Sequence, residues 1–157
     1  MTLLKAEGDR YQFGMSLAEK TVLLVLLDRY PTIPLSYYKL SKTPGGDKED
    51  DQAMLEEAMS SRRSLLKRRV TQLMHGEDRF QQGQNQLHVT FTRDEIEWLL
   101  QVLNDIRVGS WIRLGCPDCE KRMPVMTTRE DNLSFAEMEL AAHFECMFLE
   151  AVDGHVT

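Results

Sequence analysis

Two pairs of residues in this chain have the types and spacing of metal ligands. The stretch "LGCPDC", residues 114–119, sets Cys116 and Cys119 in a CxxC pair, and "HFEC" sets His143 and Cys146 at i, i+3, one side of a helix. Together Cys116, Cys119, His143 and Cys146 make a Cys3His set suited to tetrahedral zinc, and all three cysteines of the chain would then have a use. The competing reading is ordinary packing. Cys146 lies beside Met147 and Phe148 as a small core residue would, His143 falls in a polar strip with Glu139 and Glu150, and the loop cysteines are incidental. Redox chemistry is disfavoured. Gly115 and Pro117 put the CxxC pair beyond a helix C-terminus, where the dipole opposes a thiolate.

No nucleophile triad, phosphate loop or dinucleotide fingerprint is present, and the histidines are scattered at 75, 88, 143 and 155. A Cys/His nucleophile pair would need Cys146 exposed in a cleft, whereas its neighbours predict burial. The sequence therefore predicts no catalytic residues, and an enzyme is the least supported class.

A second constellation is polar. Asn104, Asp105, Arg107, Trp111 and Arg113 fall in "LNDIRVGSWIRLG", and Asn104, Arg107 and Trp111 share a helical face beside the apolar face of Leu99, Leu103 and Ile106. An arginine beside a core needs an acid, so Arg107 is expected either to be braced from a neighbouring helix, with Glu139 and Glu150 as candidates, or to serve a binding role. Asn104 is expected to cap a backbone group. Gly109 and Ser110 would allow a bend that opens a shallow groove beside Trp111.

These residues must be positioned by a small set of elements. Tyr11 to Met15 alternates as a half-buried strand, and Ser16 with Glu19 forms a capping box that starts a helix at Leu17 running to about Arg29. Because "VLLVLL" is apolar on nearly every face, this helix is expected at the centre of the fold. The unit repeats. Leu87 to Phe91 alternates, Thr92 and Glu95 make a second capping box, and Phe13 and Val22 to Leu24 map onto Val89 and Trp98 to Leu100. Between the two units come a surface loop at about 31–50 and a helix from about Asp50 to His75, with Leu55, Met59, Leu66, Val70 and Leu73 on one stripe. A Cys-containing loop at about 116–132 precedes a last helix from Ser134, capped by Ser134 and Glu137, to about Val152. The expected fold is one mainly α domain over residues 1–157, with four principal helices and a two-stranded antiparallel ribbon of residues 11–15 and 87–91.

At 157 residues the chain is long enough for a core without staples. The longest apolar run is far short of a membrane span, the odd cysteine count and lack of a leader pattern suggest a reducing cytoplasm, and a net charge of -6 opposes general attraction to nucleic acid. The basic run "RRSLLKRR" spreads around its helix instead of gathering on one face, so a solvated, partly salt-bridged helix is favoured over nucleic-acid binding.

Leu103, Asn104, Asp105, Arg107, Arg113, Leu114 and Gly115 in "LLQVLNDIRVGSWIRLG" resemble the signature of an uncharacterised, actinobacterial-type bacterial family, domain of unknown function family 2017. The opening strand and apolar helix, the long middle helix and the closing "FAEMELAAHFECMFLEAV" follow the same order. The resemblance implies a small helical cytoplasmic protein without a demonstrated activity, with relatives encoded near the adaptor of the Clp protease; the cysteine loop departs from the family's acidic, cysteine-free one. The functional expectation is a non-enzymatic regulatory or protein-interaction domain with a protein partner or a homo-oligomer. The alternatives are a DNA-associated transcriptional regulator and a small zinc-binding protein.

Overall fold

The strand at Arg10–Met15 (β2) pairs antiparallel with the strand at Leu87–Thr92 (β4), Tyr11 opposite Phe91 and Phe13 opposite Val89, in the computed structural model of the chain. The structure describes residues 1–38, 48–76, 78–117 and 126–154. Strict alternation sets this register: Tyr11, Phe13, Met15, Val89 and Phe91 all turn to one face and are buried. The expected two-stranded ribbon is nevertheless wrong. Thr2–Glu7 (β1) and Gln81–Gln82 (β3) add to its two edges, giving a four-stranded antiparallel sheet in the order β1-β2-β4-β3 and a mixed α/β architecture that is mainly helical. A two-stranded ribbon is marginal in water, and the added strands satisfy its open edges. β1 joins β2 by a two-residue turn with Gly8 at φ +61°, and its register shifts between Leu3 and Lys5.

The helices lie on the buried face of the sheet. They are Leu17–Asp28 (α1), Lys48–His75 (α2), Arg93–Arg113 (α3) and Arg129–Asp153 (α4), with a short 3-10 turn at Leu35–Tyr37 before α2. Two of the three predicted capping boxes are present, at α1 and α3: Ser16 Oγ accepts from Glu19 N at 3.1 Å, and Thr92 Oγ1 from Glu95 N at 3.3 Å. Phe148 of α4 meets Phe13 and Phe91 edge-on, with centroids 5.4 and 5.7 Å apart, which locks α4 to the two central strands. α3 and α4 run antiparallel, since Arg107, Ser110 and Arg113 meet Glu145, Glu137 and Ser134 in turn.

Three local expectations are corrected. α4 starts at Arg129, before Ser134, because Thr128 and Asp131 form the capping box; Ser134 and Glu137 are buried instead. α1 is not central. Leu23, Leu26 and Leu27 face the core, but Leu17 and Val25 are 69% and 62% exposed. Gly109 opens no groove: α3 runs unbroken through it, and a Cβ there would stand 2.5 Å from Thr32, so glycine permits the segment after α1 to pack directly on the helix.

Candidate interaction site

The polar signature of α3 is a set of struts. Asp105 is 7% exposed, and its Oδ1 accepts from the backbone amides of Thr32 and Ile33 at 2.6 and 3.2 Å, while Arg63 Nη2 of α2 stands 3.5 Å from Oδ2. One carboxylate thus ties the segment after α1, α2 and α3 together. Burying that charge is costly, and the two amides and the guanidinium offset the cost. Arg63 also stacks on the Tyr38 ring, 5.1 Å from its centroid.

Tyr30 lies beside this group, and burial, with the Asp105 carboxylate adding to it, pushes its phenol up to about 12. A raised folded value means stability that is present below pH 10 and lost as pH rises from 10 towards 12, roughly 2–3 kcal/mol in all. Ultraviolet titration of the tyrosines should accordingly find one phenol ionising about two pH units late, and Tyr30→Phe should remove that component.

Arg107 is braced, but by neither of the acids named from the sequence. Its Nε lies 2.9 Å from Glu145 Oε2 on α4, and its Nη2 donates to Asn104 Oδ1 at 2.8 Å, so Asn104 orients the guanidinium and does not cap a backbone group. Glu139 and Glu150 are exposed; position 145 faces α3 instead. Burial holds the Glu145 carboxyl above its usual range, with Arg107 opposing the shift. A raised carboxyl contributes stability below the ordinary value of 4.5 that is lost as pH rises through the folded value, and Arg107 limits that loss. Arg107→Ala is therefore expected to cost about 1–2 kcal/mol at pH 7, discounted because Arg107 is half exposed, and progressively less as Glu145 protonates towards pH 4. Thermal melts across that range measure it.

Arg113 and Glu137 form the second strut. Glu137 is 5% exposed; Arg29, at the C-cap of α1, holds its Oε1 through Nε at 2.6 Å, and Arg113 Nη2 holds Oε2. Ser110 Oγ accepts from Arg113 at 3.0 Å and donates to Glu137 at 3.4 Å, and Arg113 Nε donates to Ser134 Oγ at 3.2 Å. The cluster joins α1, α3 and α4. Trp111 Nε1 donates to Pro117 O at 3.1 Å and anchors the chain after α3.

Glu137 and Arg29 also line a groove between α1 and α4 of about 220 Å³, together with Val22, Val25, Leu133 and Leu140. All four are exposed, Val25 by 62% and Leu133 by 49%. Scattered surface leucines need no explanation, whereas a largely apolar groove shared by two helices makes this face a candidate interaction site. The groove was not among the features expected from the sequence. The signal was there: "VLLVLL" has more apolar faces than one core contact can cover.

Of the four residues named as metal ligands, the described ones, Cys116, His143 and Cys146, are not brought together. Cys116 N donates to Trp111 O at 3.0 Å and so stays at the end of α3, at φ +56°. Glu137 meets Ser110 there, and Cys146 lies nine residues farther along α4, roughly 13 Å at the helical rise. Cys116, His143 and Cys146 are all exposed. Among the described residues no group of three or more His, Cys, Asp or Glu side chains could hold a metal; Cys119 lies outside them.

The basic run of α2 is largely used within the fold. Arg63 serves Asp105, Lys67 Nζ donates to the Leu27 and Asp28 carbonyls at the end of α1 at 3.2 and 2.8 Å, and Arg69 lies over the Trp98 ring. Among the described residues no helix is long and apolar enough to cross a membrane. Comparison with family models, with curated proteins and with solved structures finds no match.

Proposed function

We propose that this chain is a non-enzymatic protein-interaction domain that docks its partner in the α1/α4 groove. The observation that carries the reading is the exposed apolar wall of Val22, Val25, Leu133 and Leu140 over a buried, fully compensated Glu137. Three further features support it. The buried carboxylates are engaged by amides and guanidiniums, which suits struts more than acid–base groups; most of the bases in "RRSLLKRR" have partners inside the fold, which leaves little for phosphate; and the α3 signature holds helices together. A cytoplasmic location and a partner connected with Clp proteolysis, the neighbourhood implied by the family resemblance, belong to the same proposal.

Val25→Asp tests it. The site is exposed, so stability should change by no more than about 0.5 kcal/mol, while a charge in the groove should abolish capture of the partner from a lysate. Equal capture by both baits, with equal melting temperatures, would reject the groove.

A further inference from the structure

Two polar side chains at the junction of α1, α2 and α3 are buried with fewer partners than they can take. Arg63 is 8% exposed, yet among the described residues its guanidinium, besides stacking on Tyr38, reaches only Asp105 Oδ2, through Nη2 at 3.5 Å, the long limit of a hydrogen bond. Its Nε and Nη1 are unused. Tyr30 is 6% exposed, and among the described residues its hydroxyl makes no hydrogen bond. Donors buried this deeply are ordinarily paired, because an unmet one has given up water for nothing. Both residues line one cavity of about 180 Å³, walled by the segment after α1, by α2 and by α3. Neither the Tyr30 hydroxyl nor any Arg63 nitrogen is among the fully enclosed polar atoms, so both stay within reach of a ligand.

The lining favours an anion. Arg62 and Arg63 stand against the single carboxylate of Asp105, whose Oδ1 is already taken by the amides of Thr32 and Ile33, so one positive charge is left over. Burial, with the Asp105 carboxylate adding to it, pushes the Tyr30 phenol up to about 12, so at neutral pH it keeps a proton to donate. Ile33, Met59 and Leu66 make part of the wall apolar. The volume is that of about six water molecules, which suits a compact molecule and is too small for a nucleotide.

From this meeting of a buried guanidinium and a buried phenol, each short of partners, in one cavity, we propose that the α1–α2–α3 junction binds a small organic acid, a monocarboxylate with a compact apolar body. The carboxylate accepts from the unused edge of Arg63 and from the Tyr30 hydroxyl, and the body lies against Ile33, Met59 and Leu66. A monoanion matches the single surplus charge. The site is separate from the α1/α4 groove and does not depend on it. Because three elements share its walls, a bound acid stabilises the junction that Asp105 already ties together.

Four small probes test the proposal. Benzoate and isovalerate are carboxylates with a flat and a branched body, while benzamide and benzylamine keep the ring of benzoate and change its head group. Each is titrated into the isotope-labelled full chain and followed by amide NMR shifts. The expected result is saturable movement of the Thr32, Ile33 and Asp105 amides with at least one of the two acids, at a dissociation constant in the millimolar range or below. Benzamide should bind at least about tenfold more weakly than benzoate, and benzylamine should not bind. Tyr30→Phe removes only an unbonded hydroxyl and should keep the fold, yet it should weaken the acid on the order of ten- to a hundredfold. Arg62→Gln, at an exposed position, should weaken it by a smaller factor that fades as salt rises. No saturable shift at these amides with either acid, equal binding of benzoate and benzamide, a preference for benzylamine, or acid binding unchanged in folded Tyr30→Phe would each overturn the proposal.

Discussion

Asp105→Ala should lower the free energy of unfolding by about 3–5 kcal/mol, the largest effect expected among the buried charged residues. Three separate losses combine. The amides of Thr32 and Ile33 lose the acceptor that fixes the chain leaving α1, and each buried donor left unpaired costs on the order of 1–3 kcal/mol. Arg63, 8% exposed, is left without a counter-charge beside the Tyr30 and Tyr38 rings. The space vacated sits under the junction of α2 and α3. Asp105→Asn separates these contributions, because an amide oxygen can still accept from Thr32 and Ile33 while the charge is gone. It should fall between alanine and wild type, and the Arg63→Ala/Asp105→Ala double variant should be less unstable than the two single losses added together. Urea unfolding of the wild type and the four variants decides this. If Asp105→Ala cost less than about 1 kcal/mol, Asp105 would not be a strut.

Glu137→Ala should be the next most damaging change among the buried charged residues, at about 2–4 kcal/mol. Removing it leaves Arg29 and Arg113 facing each other without the carboxylate that joins them, and removes the acceptor of Ser110 Oγ. The effect is smaller than at Asp105 because both guanidiniums are 40–45% exposed and can turn into water. Repulsion between the freed arginines is screened by salt, so the deficit of Glu137→Ala should narrow as salt rises, while Asp105→Ala, deeper in the fold, should respond less. Chemical denaturation by urea at low and high salt reads both. A deficit for Glu137→Ala that grew with salt would contradict the electrostatic account.

How much of this could be read from the residues differs by element. The strand pairing was legible because Tyr11, Phe13 and Met15 and Val89 and Phe91 alternate strictly, and the starts of α1 and α3 because a capping box is a local code. β1 was hidden because its register shifts after Leu3, which breaks alternation, and β3 because two glutamines carry no hydrophobic signal. The start of α4 was misplaced since Ser134 and Glu137 spell a capping box as well as Thr128 and Asp131 do; only packing against Arg113 shows which pair lies inside the helix. The α3 signature was recognisable as polar residues beside a core, yet Glu145 as the acid for Arg107 depends on how α4 is rotated, which no local pattern states. The groove followed from the same ambiguity. A helix apolar on every face is buried or half-covered, and its sequence is the same in both cases.

The proposed partner seats on the α1/α4 face while the polar residues of α3 hold the helices. Site-specific photo-crosslinking in living cells addresses it most directly, with a photoreactive side chain placed in turn at Val25, at Leu140 and, as a control, at Leu65 of α2, which is comparably exposed and outside the groove. The account predicts one common crosslinked partner at positions 25 and 140 and none at 65. Crosslinks at 65 alone, or none at 25 and 140 while the full-length protein remains folded, would contradict it.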